Sequence, residues 1–287
     1  MMKKILLPCV SLLMFLASVD GSARPLSLDP GCLGDSDLYF ISFDSVRIHY
    51  EVLGSGSPVL LVHGFIVDGE SWKKVPLYGD LIKAGYQVIT LDLRGNGKSD
   101  KPHQAEAYGH DAEARDIMGL MDALKINHYQ VIGYSRGSII TARLLVLDKR
   151  VTSAVMGGMG ADFTNPAWPR RILFYRALMG EPVPELDAMV KRVQSAGLDQ
   201  LALAYLQKEQ PSTSKEELGK IQQHVLIICG DQDSDNGSSL DLVRLIPLAM
   251  HESVPGDHGA ALRTPEFSEK AIRFLRAFGS PPNPSSH

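Results

Sequence analysis

Short runs of apolar, often β-branched residues alternate along the chain with longer stretches whose apolar positions recur every three or four residues. Residues 58–62, 87–93, 129–134, 151–156, 225–229 and 251–254 form the short runs, and the fully apolar ones predict strands buried on both faces. Residues 70–84, 110–124, 137–147, 240–246 and 265–278 carry the longer period. In 110–124, Ile117, Leu120, Met121 and Leu124 fall on one helix face. Strands alternating with helices predict a parallel sheet joined by right-handed crossovers. Two further runs, 39–43 and 46–53, predict a hairpin ahead of it.

One stretch breaks this rhythm. Residues 160–223 hold helix formers together with Trp168, Phe174, Tyr175, Met179, Met189 and Tyr205, and four prolines punctuate their first half. They predict a small helical cap inserted into a core made of 38–159 and 224–278. Trp168, Phe174, Tyr175, Leu178 and Met179 are candidates for an apolar substrate pocket or for the cap's own core. Arg170, Arg171, Arg176, Lys191 and Arg192 make the cap locally basic, and most of them read as a solvated face.

The ends are different again. Lys3 and Lys4 precede a thirteen-residue apolar run, and small residues at Gly21 and Ala23 follow, so 1–23 predict a cleaved secretory signal. The run is short for a membrane span, and no stable anchor is expected. Residues 24–37 predict a flexible arm, and 279–287 a disordered tail. The leader therefore predicts a secreted or periplasmic protein.

The 287 residues are 44% hydrophobic and 22% charged, an ordinary globular balance that excludes a disordered or collagen-like chain. A net charge of −4 without a basic run argues against a nucleic-acid partner. Three cysteines are too few for a disulfide scaffold. Cys229 ends an apolar run and reads as a buried thiol.

The chemistry concentrates at the ends of the predicted strands. Gly133-Tyr134-Ser135-Arg136-Gly137 stands between a strand and a helix, the context of a nucleophile elbow. A serine nucleophile needs a base and an orienting acid. Of nine histidines, His258 lies in the loop between the last strand and the last helix, on the sheet edge that carries Ser135. The loop after 225–229 offers Asp231, Asp233 and Asp235 as acids. An oxyanion would find the backbone N–H of Arg136 and that of Phe65, in His63-Gly64-Phe65 after an early strand. His63 reads as a loop-holding residue. The Arg136 side chain reads as packed or paired with an acid, the alternative being recognition of a substrate carboxylate. No His-Glu-x-x-His or Cys-x-x-Cys pattern is present, and no metal or organic cofactor is expected.

These motifs, with Asp92-Leu93-Arg94-Gly95-Asn96-Gly97-Lys98-Ser99, make residues 39–278 resemble the α/β-hydrolase fold family, serine-nucleophile branch. The resemblance implies an eight-stranded, mostly parallel sheet flanked by helices, with a lid after the sixth strand. It implies Ser135 as nucleophile, Asp233 as acid and His258 as base, and a turn at 92–99 that supports the fold. Ser138 and Asn96 depart from commoner Gly and His. The implied activity is cleavage of small-molecule esters with small to medium, partly apolar acyl groups. Lactone hydrolysis, cofactor-free perhydrolysis and carbon–carbon cleavage use the same triad. Epoxide hydrolases and haloalkane dehalogenases place Asp where Ser135 stands. A non-catalytic binding protein on this scaffold is the competing class, and it usually lacks a triad member.

Overall fold

A computed structural model describes residues 37–279. The leader, the rest of the arm and the remainder of the tail lie outside the described residues.

The strands are β1 (Leu38–Ile41), β2 (Arg47–Leu53), β3 (Ser57–Val62), β4 (Tyr86–Leu91), β5 (Tyr129–Tyr134), β6 (Val151–Gly157), β7 (His224–Gly230) and β8 (Ala249–Val254). They form one sheet in the order β1-β2-β4-β3-β5-β6-β7-β8. Only β2 runs against the rest, pairing antiparallel with both β1 and β4. The helices are α1 (Pro76–Lys83), α2 (Ala112–Ala123), α3 (Arg136–Leu147), α4 (Pro169–Leu178), α5 (Asp187–Ser195), α6 (Gln200–Lys208), α7 (Lys215–Leu218), α8 (Ser239–Leu245) and α9 (Pro265–Phe278). None of the described helices is long and apolar enough to cross a membrane.

The central strands are apolar throughout because helices cover both faces. Leu60 and Val62 of β3 join a core with Ile117, Leu120 and Met121 of α2, Ile140 and Leu144 of α3 and Leu242 of α8. Val59 and Leu61 point the other way, to Leu77 and Leu81 of α1 and to Phe267, Ala271 and Phe274 of α9. Successive side chains alternate faces, so one short run serves two cores. Each fully buried aliphatic side chain contributes about 1.5–3 kcal/mol.

Two predicted elements are corrected. The helical stretch 70–84 is a 3-10 turn, Gly69–Lys74, followed by α1. Pro76 at the helix start lacks an N–H and forces Val75 into an extended conformation, which splits the segment. The run 87–93 stops as β4 at Leu91, where Asp92 turns away to accept hydrogen bonds from the Gly69 and Lys98 N–H groups. That turn is a support. Arg94 is wholly buried and pairs with Asp116 and Asp44. The predicted stretch 265–278 is α9: Thr264 caps it by accepting from the Phe267 N–H, and Pro265 takes the first helical position.

The strand order reverses direction at β3. The chain leaves β3 toward β4 on one side and later returns to place β5 on the other. Loops after β3 and β5 therefore diverge and open a crevice at their carboxyl ends, the usual ligand position in open α/β sheets. Residues 160–223, between β6 and β7, carry α4–α7. A third apolar cluster forms there from Leu178, Val193, Leu203 and Leu206, with Tyr108 from before α2.

Candidate active site

Ser135 sits at the junction of β5 and α3 with φ +54 and ψ −124. This left-handed φ is rare for a residue with a side chain, and such strain is held only where surroundings over-determine it. Here they do. A Cβ on Gly137 would overlap the Val62 carbonyl of β3, and one on Gly133 would overlap the Gly137 carbonyl. The Ser135 N–H donates to the Gly157 carbonyl at 2.8 Å, and Ser138, in the place of the commoner glycine, sets its hydroxyl 2.9 Å from that same oxygen. The sharp turn is thus tied to β3, β5 and β6.

Three sequence-predicted groups meet above it. His258 Nε2 lies 2.9 Å from Ser135 Oγ, and His258 Nδ1 lies 2.9 Å from Asp233 Oδ2. Burial pushes the Asp233 carboxyl toward the neutral form. The His258 hydrogen bond and charge, the Asp235 N–H and Arg170 outweigh this and hold it below the ordinary aspartate value. An ionised carboxylate only accepts, so the imidazole proton sits on Nδ1 and leaves Nε2 to accept the Ser135 hydroxyl hydrogen.

The neighbouring aspartates do other work. Asp231 accepts from the Gly256 N–H at 2.9 Å and ties the His258 loop to the end of β7. The Asp235 N–H donates to Asp233 Oδ1. Ligand atoms of Asp233, Asp235 and His258 cluster within 4.8 Å, but both His258 nitrogens are already engaged, by Asp233 and Ser135. Asp233, His258 and Ser135 thus form a continuous hydrogen-bonded chain.

Phe65 and Arg136 flank the serine. Neither backbone N–H has an acceptor among the described residues. His63 holds the Phe65 loop: its Nδ1 donates to the Gly64 carbonyl, and its Nε2 accepts the Leu93 N–H at 3.0 Å. Burial pushes His63 below its ordinary pKa, which keeps it in this neutral form.

Two cavities reach Ser135 and His258. One, about 280 Å³, is walled by Trp72, Val75 and Leu262. The other, about 230 Å³, runs under α4 and is walled by Phe65, Ile139, Met159, Trp168, Phe174, Arg171, Gln207 and Asn236. Of the five pocket candidates in the cap, Trp168 and Phe174 line a cavity, while Tyr175, Leu178 and Met179 do not. Tyr175 packs with the α5–α6 cluster and lines neither cavity. Met179, just past the end of α4, is exposed and lines neither. Arg171 and Phe174 share the helix face turned to the cavity, while Tyr175 and Leu178 share the next face.

Several contributors escaped the sequence. Glu113 of α2 takes the Arg136 guanidinium in a two-pronged pair, 2.6 Å on each arm, with both side chains buried. Its spacing in α2 carried no signal beyond a charge on an amphipathic helix. Tyr134 donates its hydroxyl to the His258 carbonyl at 2.6 Å, and its ring lies 5.4 Å from the imidazole at a tilt of 40°. Burial raises its pKa and keeps that hydroxyl a donor. Arg171, one of the basic cap residues named above, turns inward.

The family comparison fits this geometry. Residues 57–183 match the model of the α/β hydrolase fold. The chain has the α/β-hydrolase fold. It is similar to a protein named as a non-heme chloroperoxidase from Synechocystis sp., 40% identical over 114 residues, 39% of this chain and 40% of the relative. It is similar to bifunctional epoxide hydrolase 2 from Sus scrofa, 31% identical over 117 residues, 40% of this chain and 20% of the relative. The chain thus spans well under two thirds of these relatives. Among solved structures, a bromoperoxidase from Bacillus anthracis superposes with a TM-score of 0.65 at 24% identity, over 84% of this chain and all of that one. This α/β hydrolase shares its fold with proteins of several activities, so the reaction has to be argued from the site.

Proposed function

We propose that this α/β hydrolase is a serine esterase acting on carboxylic esters of small to medium, partly apolar acids. The observation that carries the reading is the unbroken relay Asp233–His258–Ser135, 2.9 Å at each link, on a strained elbow beside two unpaired N–H groups. Ser135 Oγ attacks the ester carbonyl carbon while its proton passes to His258 Nε2. The N–H groups of Phe65 and Arg136 stabilise the oxyanion, an effect in which each donor contributes roughly 10²–10³ in rate. The tetrahedral adduct collapses, the C–O bond to the alcohol breaks, and His258 returns the proton to the leaving oxygen. Water, deprotonated by His258, then splits the acyl-serine into acid and free Ser135. A serine at 135 removes the carboxylate nucleophile that an epoxide-opening enzyme of this fold requires. The leader further supports export, which an amino terminus at Arg24 in the mature protein would establish.

The test is hydrolysis of p-nitrophenyl esters from acetate to laurate by the wild type and Ser135→Ala. Turnover that vanishes in the variant, with its optimum among short acyl chains as the 230 Å³ cavity suggests, supports the reading. Absence of Ser135-dependent turnover on every ester overturns it. The likeness to the chloroperoxidase favours one second reading, in which hydrogen peroxide replaces water at the acyl-serine and a peracid leaves. Peracid formation from an ester and peroxide separates the two.

A further inference from the structure

The cavity under α4 is mostly apolar, yet it contains guanidinium groups in three different states. Arg136 is neutralised, since Glu113 takes both of its terminal nitrogens. Arg170 is half exposed, faces Asp235 and lies over the Phe174 ring. Arg171 is different. Its Nε is buried without a partner, its Nη1 donates only to the Gln210 carbonyl at 3.1 Å, and no carboxylate among the described residues lies within 4 Å of it. The Arg136 Nε is a second buried donor without a partner, on the wall of the same cavity. Gln207 and Asn236 add polar groups to that wall.

Arg171 is only partly buried, but its Nε is out of water, and a buried donor without an acceptor is unfavourable. Nothing within the described chain offsets the Arg171 charge at contact distance. Burial accordingly pulls Arg171 below its ordinary pKa, and Glu209 only partly opposes this. A partner brought in by the ligand resolves the imbalance. A carboxylate suits a planar guanidinium fork better than any neutral group.

We propose that Arg171 pairs with a carboxylate on the substrate, so that the preferred substrates are half-esters or related acyl compounds of short dicarboxylic acids. This rests on the serine-hydrolase reading, with the scissile carbonyl at Ser135 and the second carboxylate in the cavity under α4. The Arg136 Nε supplies an additional donor on the same wall. The cavity's size limits the acid to a short chain.

The experiment compares monoethyl glutarate with ethyl glutaramate, which replaces the free carboxylate by an amide of nearly the same shape. The measured quantity is the ratio of their kcat/KM values in the wild type, Arg171→Gln and Arg171→Leu. The wild type should prefer the charged ester roughly tenfold to a hundredfold, the usual strength of a charge-assisted hydrogen bond. Both variants should bring the ratio to about one or below. A merely structural role for Arg171 would lower both rates together and leave the ratio where it was, which overturns the proposal. So does a wild type that prefers the amide. Arg176→Gln, on the exposed side of the same helix and paired with Glu181, should keep the wild-type ratio. Thermal stabilisation by glutarate dianion gives a readout independent of turnover. A shift in the wild type that is lost in Arg171→Gln supports the anion site even if no ester is cleaved. No shift, with esters cleaved, overturns the anion site and leaves the hydrolase reading standing.

Discussion

The ends of the strands and the helical segment above them divide the labour unevenly. At the strand ends every group is fixed from several directions. Ser135 is held by β3, β5 and β6, His258 by Asp233, Tyr134 and the Asp231–Gly256 link, and the Phe65 loop by His63. In 160–223 the walls come from α4, whose apolar and polar residues are not segregated, with Met189 of α5 and Gln207 of α6, and α4 carries an inward cation with no carboxylate partner among the described residues. Rigid elements place the reacting atoms, while the inserted segment varies what they meet. Chemistry and specificity should therefore fail separately.

The largest effect should come from the relay. Ser135→Ala should lower kcat on any cleaved ester by roughly 10⁴-fold or more, and Asp233→Asn by roughly 10³–10⁴-fold, because the amide stabilises the wrong imidazole tautomer. Both variants should fold, as judged by unchanged urea midpoints to within about 1 kcal/mol. An Asp233→Asn enzyme with near-wild-type kcat, or Asp231→Asn matching its loss, would break the assignment.

The next effect falls on stability. Glu113→Gln leaves the buried Arg136 guanidinium unmatched and should cost about 3–5 kcal/mol, the price of a lone buried charge. The double change Glu113→Leu with Arg136→Met should recover most of it. Because the proposed mechanism uses only the backbone N–H of Arg136, the double variant should keep ester turnover, which a side-chain role at the reacting carbon would forbid. Melting temperatures and kcat of the three proteins decide this.

Substitutions in the helical segment should be milder and selective. Phe174→Ala, on the cavity wall, should move the acyl-length optimum upward and cost the shortest preferred ester roughly tenfold in kcat/KM. Tyr175→Ala should lower stability without moving the optimum, since it packs in the α5–α6 cluster. Met179→Ala should change neither. An optimum that moves with Tyr175 or Met179 would mean the segment adopts another arrangement with substrate.

The same division governs what could be read from the sequence. The sheet was legible because period-two burial leaves apolar runs that nothing else explains, and the elbow because Gly133 and Gly137 are demanded by backbone approaches within a few residues of Ser135. His258 was found by its place after the last parallel strand. Asp233 could not be separated from Asp231 by spacing alone. What distinguishes them is a contact across 25 residues, to His258 in one case and to the Gly256 N–H in the other. Glu113 and Arg171 were illegible for a stronger reason. A charged residue on a helix reads as solvated, and only the packing of α2 on α3, or of α4 over the sheet, turns it inward. Tyr175 and Met179 failed because neighbouring helical positions lie about 100° apart, so an aromatic-rich stretch does not say which face lines a cavity.

The smallest effect is on pH dependence, and its sign follows from burial. His63 is neutral in the folded protein, with a pKa below the ordinary 6.5 because it is buried. In the unfolded chain it takes a proton near that value. Between the two pKa values the unfolded state holds the extra proton, so stability is full above about pH 6.5 and falls as pH drops below it. One such proton gives at most about 1.4 kcal/mol per pH unit. His251, also pushed down by burial, adds in the same direction. Asp233 adds nothing here, because its carboxyl is held low and stays ionised throughout this window. His63→Gln should lose stability at pH 8, where the Leu93 and Gly64 bonds are missed, yet lose less than the wild type on acidification. Urea midpoints of the two proteins, followed from pH 8 to pH 5, should therefore converge. Parallel curves would mean that His63 is protonated without penalty, and that the Phe65 loop is less firmly held than the strand ends around it.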